Sequence, residues 1–178
     1  MIKYVLISLT TLFILAGCSS ISVTDDYDPG VDFSKYKTFA IYKGAIEGSE
    51  LESYPLVKKR VLEAISNEMV KKGLTQTDTS DADLLIYAQG GTTEKMNVTN
   101  YGYGYGSWWG PYPYGRNIDV SYYTQASLII DLVDNAKNEL VWRGIGTGVV
   151  QDGGTPEERQ QRVDEAVAKI LSYYPPVK

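Results

Sequence analysis

The sequence predicts an α+β fold: a two-layer sandwich in which two amphipathic helices cover one face of a mixed or antiparallel sheet of about five strands. Three observations predict it. Two windows, 55–72 and 156–171, carry apolar residues at helical spacing. Five windows, 21–24, 36–42, 82–88, 120–133 and 140–150, alternate with period two or form short apolar runs rich in β-branched and aromatic residues. Their order leaves each helix with one stripe to bury and the sheet with one face to cover.

Ile21-Ser22-Val23-Thr24 alternates and opens the sheet, and Asp28-Pro29-Gly30 then makes a turn. Tyr36 to Tyr42 is the second strand, followed by a polar loop over 44–53. Pro55 suits the first turn of a helix, where its missing N–H costs nothing. Val57, Val61, Ile65 and Met69 form the stripe of that helix, and Gly73 caps it. Residues 74–80 read as polar connector and 82–88 as a short central strand. Val120 to Val133 places Ala126, Leu128, Ile130 and Leu132 on one face, with Ile129 and Asp131 on the other. Asn135 to Asn138 turns the chain into a returning strand over 140–150. Gly144, Gly146 and Gly148 share a face there, so either something packs close to that backbone or the strand bends. Thr155-Pro156-Glu157-Glu158 is a capping box that starts the second helix, with Val163, Ala166, Val167 and Ile170 as its stripe. Tyr174-Pro175-Pro176 ends it.

The N-terminus carries a secretory signal. Lys3 is followed by an uncharged apolar run, Val5 to Leu15, and by the small residues Ala16 and Gly17. Cys18 is the sole cysteine. Leu15-Ala16-Gly17-Cys18 resembles the bacterial lipobox, which makes the cysteine the lipidated first residue of the mature chain. A membrane span needs about 20 apolar residues; here Asp25 and Asp26 follow instead of a basic stop-transfer cluster. An ordinary cleaved signal with an incidental cysteine is the other alternative. The lipobox implies residues 1–17 as signal peptide and an acylated Cys18. With Ser19 rather than aspartate next to it, the implied address is the periplasmic side of a Gram-negative outer membrane. Residues 18–35 then hold the lipidated cysteine, tether and first strand, and 36–178 a single domain.

Composition excludes several function classes. The net charge is −5, and losing Lys3 with the signal makes it −6. An acidic body disfavours nucleic acid as a partner, because phosphate binding needs a basic stripe. The chain has no histidine, and lipidation consumes its one thiol. Ser-His-Asp and Cys-His catalysis and most zinc sites are thereby removed, and no cofactor is expected. Asp25, Asp26, Asp28 and Asp32 match a calcium loop only in part, and no Glu closes it, so no metal is expected. Gly144, Gly146 and Gly148 do not make a dinucleotide loop. The expectation is a non-enzymatic interaction or structural module. Its rivals are a carboxylate enzyme acting on cell-wall glycan through Asp131 or Asp134, and a subunit of an envelope assembly.

Residues 101–116 stand apart. They hold five Tyr, two Trp, five Gly and two Pro, with Arg116 the single charge. Gly and Pro density excludes helix, and alternate Gly leaves one face of a strand bare. The segment reads as a long loop of rings on a flexible backbone. Tyr103, Tyr105, Trp108, Trp109, Tyr112 and Tyr114 are its candidate binding residues. The partner is an envelope protein, a glycan or a lipid headgroup layer; the alternative is a loop folded on its own sheet.

Taken together, Tyr27-Asp28-Pro29, Asp32-Phe33-Ser34-Lys35-Tyr36-Lys37-Thr38-Phe39, Ala82-Asp83-Leu84-Leu85, Ile130-Asp131-Leu132-Val133-Asp134, Leu140-Val141-Trp142-Arg143-Gly144 and Tyr174-Pro175-Pro176 resemble the DUF4136 family of bacterial envelope lipoproteins. The resemblance covers nearly all of the mature chain. It implies the α+β fold and the envelope address, and carries over no catalytic residues.

Overall fold

The computed structural model describes residues 21–100, 118–149 and 153–177. Their strands form one mixed sheet in the order β1-β6-β5-β4-β2-β3. β1 is Ser22–Tyr27, β2 Thr38–Ile41, β3 Thr75–Gln76, β4 Leu84–Asn100, β5 Ile118–Asp134 and β6 Glu139–Val149. The helices are α1, Pro55–Lys71, and α2, Pro156–Leu171. Val61, Ala64, Ile65 and Met69 of α1 and Val167, Ile170 and Leu171 of α2 enter the same core cluster as Phe39, Leu84, Ile86, Ile130, Leu132 and Trp142 of the sheet. Both helices therefore cover one face, as the pattern predicts.

The sheet has six strands rather than about five. β3 is a two-residue strand within the expected connector, parallel to the start of β2. Both its residues are exposed, so it has no apolar pattern by which to be read. The strand expected over 82–88 continues to Asn100, paired with β5 at every position from Leu84↔Asp134 to Asn100↔Ile118. Beyond Gln89 it turns polar and glycine-rich, which hides it from an apolar-run reading. The loop over 44–53 contains a 3-10 turn, Glu50–Ser53, whose Leu51 enters the core. Ser49 Oγ accepts from Gly90 N–H (3.1 Å) and Glu50 from Thr92 N–H (2.9 Å). These side chains satisfy the outward N–H groups of β4 where no strand lies beside it.

Local signals are realised at both helices. Gly73 has φ 88° and its N–H donates to Val70 O, closing α1. Thr155 Oγ1 accepts from Glu158 N–H while Glu158 accepts from Thr155 N–H, opening α2.

The row of glycines on β6 reflects close packing. A Cβ at Gly146 would lie 2.6 Å from Ile170 Cδ1, and one at Gly144 would meet Ile170 Cγ2 at 2.6 Å as well as the Trp142 ring. Ile170 thus rests directly on bare backbone. Trp142 is fully buried beside it, edge-on to Tyr174 at 5.6 Å between centroids. Gly144→Ala should destabilise by about 2–3 kcal/mol, because a rigid, enclosed ring must shift. Gly91, where a Cβ meets nothing within 4 Å, is the control: Gly91→Ala should be neutral or stabilise by about 0.5 kcal/mol. Urea unfolding of the two variants measures the contrast.

Candidate functional site

The face of the sheet away from the helices carries a row of side chains built by the strand register. Tyr87 of β4 pairs with Asp131 of β5, Asp131 with Arg143 of β6, and Arg143 with Asp26 of β1. Tyr42, just past β2, extends the row by stacking its ring on Tyr87 at 4.8 Å. Ile129 and Ile145 pair on one side of the row and Val133 and Leu140 on the other.

Asp131 sits at the centre and is 5% exposed. Arg143 Nε donates to its Oδ1 at 2.6 Å and Nη2 to its Oδ2 at 2.7 Å. Gln89 Nε2 adds a longer bond of 3.3 Å to Oδ2. This is the two-pronged geometry that makes guanidinium–carboxylate pairs strong. The bond to Asp131 holds the Arg143 pKa above its usual range, against the opposing effect of burial. Both oxygens of Asp131 are committed, so the carboxylate is arranged to hold Arg143 in place.

Asp134 lies three residues along the same strand and therefore faces the other way. It accepts from the Tyr36 hydroxyl (3.0 Å) and from Lys137 N–H (3.0 Å). Burial, then the bond to Asp134, pushes the Tyr36 hydroxyl up to about 12. Asp131 and Asp134, the two alternatives for glycan chemistry, thus lie on opposite faces of the sheet. Of the acidic residues near the first turn, Asp28 accepts from Gly30 N–H and Asp32 from Ser34 N–H. No group of three or more potential metal ligands occurs among the described residues. Cys18 and Tyr103, Tyr105, Trp108, Trp109, Tyr112 and Tyr114 lie outside the described residues.

The residues that carried the sequence resemblance converge on one aromatic cluster. Phe33 packs edge-on against Tyr27, Tyr36 and Tyr174, and Tyr174 against Trp142. Asp83 accepts from Lys37 and Thr38 N–H at 2.8 and 2.9 Å, pinning the start of β2 to that of β4, and these two bonds hold its pKa below the carboxylate range. Among the described residues the Trp142 indole N–H is buried without a hydrogen-bond partner. Arg143, Gln89, Tyr42 and Tyr87 were not singled out from the sequence. The alternation of 120–133 placed Asp131 on its face, but the juxtaposition of these four with it needs the register.

Removing one member of the central ion pair tests its role. Arg143→Met leaves Asp131 buried without its cation and should cost about 2 kcal/mol, less than for a fully enclosed pair because Arg143 is partly exposed. Asp131→Leu combined with Arg143→Met should recover most of that loss, as read by chemical denaturation.

No curated protein matches the chain. Among solved structures, a PDZ domain protein from Parabacteroides distasonis is 21% identical with a TM-score of 0.50; the match covers 90% of this chain and 36% of that one. The PelC dodecamer from Paraburkholderia phytofirmans is 12% identical at a TM-score of 0.47, covering 85% of this chain and 95% of that one. A homolog of a neuraminyllactose-binding hemagglutinin from Helicobacter pylori is 14% identical at 0.42, covering 78% and 83%. At such identities the first likeness speaks to the fold alone, and the lower TM-scores of the others carry no argument. The model of the domain of unknown function DUF4136 matches residues 23–176, most of the chain, and the protein belongs to that family.

Proposed function

We propose that this protein is a membrane-anchored bacterial lipoprotein, held through acylated Cys18 at the periplasmic side of the outer membrane. It acts there as a non-enzymatic interaction or structural module. The observation that carries the reading is Leu15-Ala16-Gly17-Cys18 at the end of an uncharged apolar run, three residues before the first described residue, Ile21. Two or three acyl chains hold a protein stably, at about 0.8 kcal/mol per buried methylene. No helix among the described residues is long and apolar enough to cross a membrane.

The chemistry of the described domain supports a non-catalytic role. Asp131 is committed to Arg143, and Asp134 faces the opposite way toward Tyr36. A glycosidase needs two carboxyls about 5–10 Å apart across a shared cleft. The shallow groove between α1 and α2, lined by Arg60, Glu157, Gln160, Gln161 and Asp164, contains neither aspartate. The interaction surface in this proposal is the aromatic segment, with Tyr103, Tyr105, Trp108, Trp109, Tyr112 and Tyr114 as its contact residues.

Fractionation with fatty-acid labelling tests the anchor. Wild-type protein should take up label and sediment with outer membranes. Cys18→Ser should lose the label and appear in the soluble periplasmic fraction. Equal membrane retention of both proteins, with no label in either, would contradict the reading.

A further inference from the structure

The helix-free face of the sheet is complementary to itself. Its rows follow from the strand register. Tyr87, Asp131, Arg143 and Asp26 form the central row across β4, β5, β6 and β1. Gln89, Ile129, Ile145 and Thr24 form the next, and Gly91, Ser127, Thr147 and Ser22 the one beyond. On the other side of the centre stand Leu85, Val133 and Leu140. Among the described residues no helix packs over these rows, because α1 and α2 both bury their stripes against the opposite face.

The composition of this face suits a protein contact. The cores of such contacts are apolar, enriched in aromatic residues and Arg, and depleted in Lys and Glu. The four rows contain no Lys and no Glu, and their two aspartates flank Arg143. The outer side of the helical layer is the contrast, with Lys59, Glu63, Glu157 and Glu165 exposed. Leu140 is 47% exposed, and Ile129, Ile145 and Val133 are half-buried.

A two-fold axis along the strands, midway between β5 and β6, exchanges β5 with β6 and β4 with β1. It leaves every row at its own level, so like rows meet. Asp131 then faces the partner's Arg143, and Tyr87 the partner's Asp26. Ile129 faces the partner's Ile145, and Val133 the partner's Leu140. Arg143 is prepared for such a contact. Its Nε and Nη2 serve Asp131 of its own chain, its side chain is 42% exposed, and Nη1 is left for a facing carboxylate. Asp131 holds the guanidinium in place beforehand, which lowers the ordering cost of association. Sheets packed face to face lie about 10 Å apart, with strands within about 30° of one another. From Leu85 to Thr93 and across four strands the face measures about 27 by 19 Å. Two such faces bury about 1,000 Å² together, the lower bound for a specific dimer.

We infer that this face is a homodimer interface, in which two copies of the chain pack sheet against sheet about an axis between β5 and β6. The inference goes beyond the proposed anchor and does not depend on it, and none of its residues belongs to the aromatic segment.

The test measures the mass of the full-length protein by light scattering after extraction in a mild non-ionic detergent. Two chains per particle at micromolar concentration is the expected result. Ile129→Lys or Ile145→Glu alone should weaken the dimer about tenfold or more, because each buries an unpaired charge against the partner. An equimolar mixture of the two variants should regain the dimer, since the new ammonium of one chain meets the new carboxylate of the other. Leu140→Glu repeats the test at a position already 47% exposed, where the fold does not rely on the side chain. One chain per particle at every concentration overturns the inference, whether the face stays bare or is taken by another envelope protein. A dimer that survives all three substitutions, or a mixture that gains nothing over its components, overturns it as well.

Discussion

Val141 is one residue more than the β5–β6 hairpin needs. Val133 pairs with Leu140, but Leu132 pairs with Trp142, so the register shifts by one between them. Val141 and Trp142 both turn into the core, at 2% and 0% exposure. From there outward, every residue of β6 takes the face that the extra residue assigns to it. Arg143 meets Asp131 on the helix-free face, and Gly144 and Gly146 lie bare beneath Ile170. Without the shift Trp142 would stand opposite Asp131 in solvent, and Arg143 opposite Ile130 in the core. An unpaired guanidinium there would cost several kcal/mol in desolvation. The bulge is therefore the constraint on which the docking of α2, the aromatic cluster and the surface ion pair all depend.

Most of the architecture was legible because its signals are local. The stripe from Val57 to Met69, the capping box at Thr155 and the alternation of 120–133 depend on neighbours a few residues apart. The close approach at Gly144 and Gly146 was readable as one of two alternatives, and Ile170 decided between them. What escaped depends on distant partners. β3 exists because Thr75 and Gln76 find the open edge of β2. The outer half of β4 is a strand because β5 pairs with it throughout, despite Gly90, Gly91 and a run of polar residues. The Asp131–Arg143 pair depends on a one-residue shift that no spacing rule shows. Of the candidate site, the sequence named Asp131 and Asp134 but not their distant partners, Arg143 and Tyr36.

The residues behind the family resemblance have structural explanations. Asp83 ties two strand starts together, Tyr36 bonds Asp134, and Phe33, Trp142 and Tyr174 form the aromatic centre. They specify a scaffold. In the proposed envelope role, recognition falls to the aromatic segment over 101–116.

The anchor is the premise of that role, and the covalent state of one residue tests it most directly. Mass spectrometry of the native protein purified from membranes should show an N-terminus at position 18 bearing diacylglyceryl and acyl chains. A native chain that retains Met1, or that presents Cys18 as an unmodified thiol, would contradict the account.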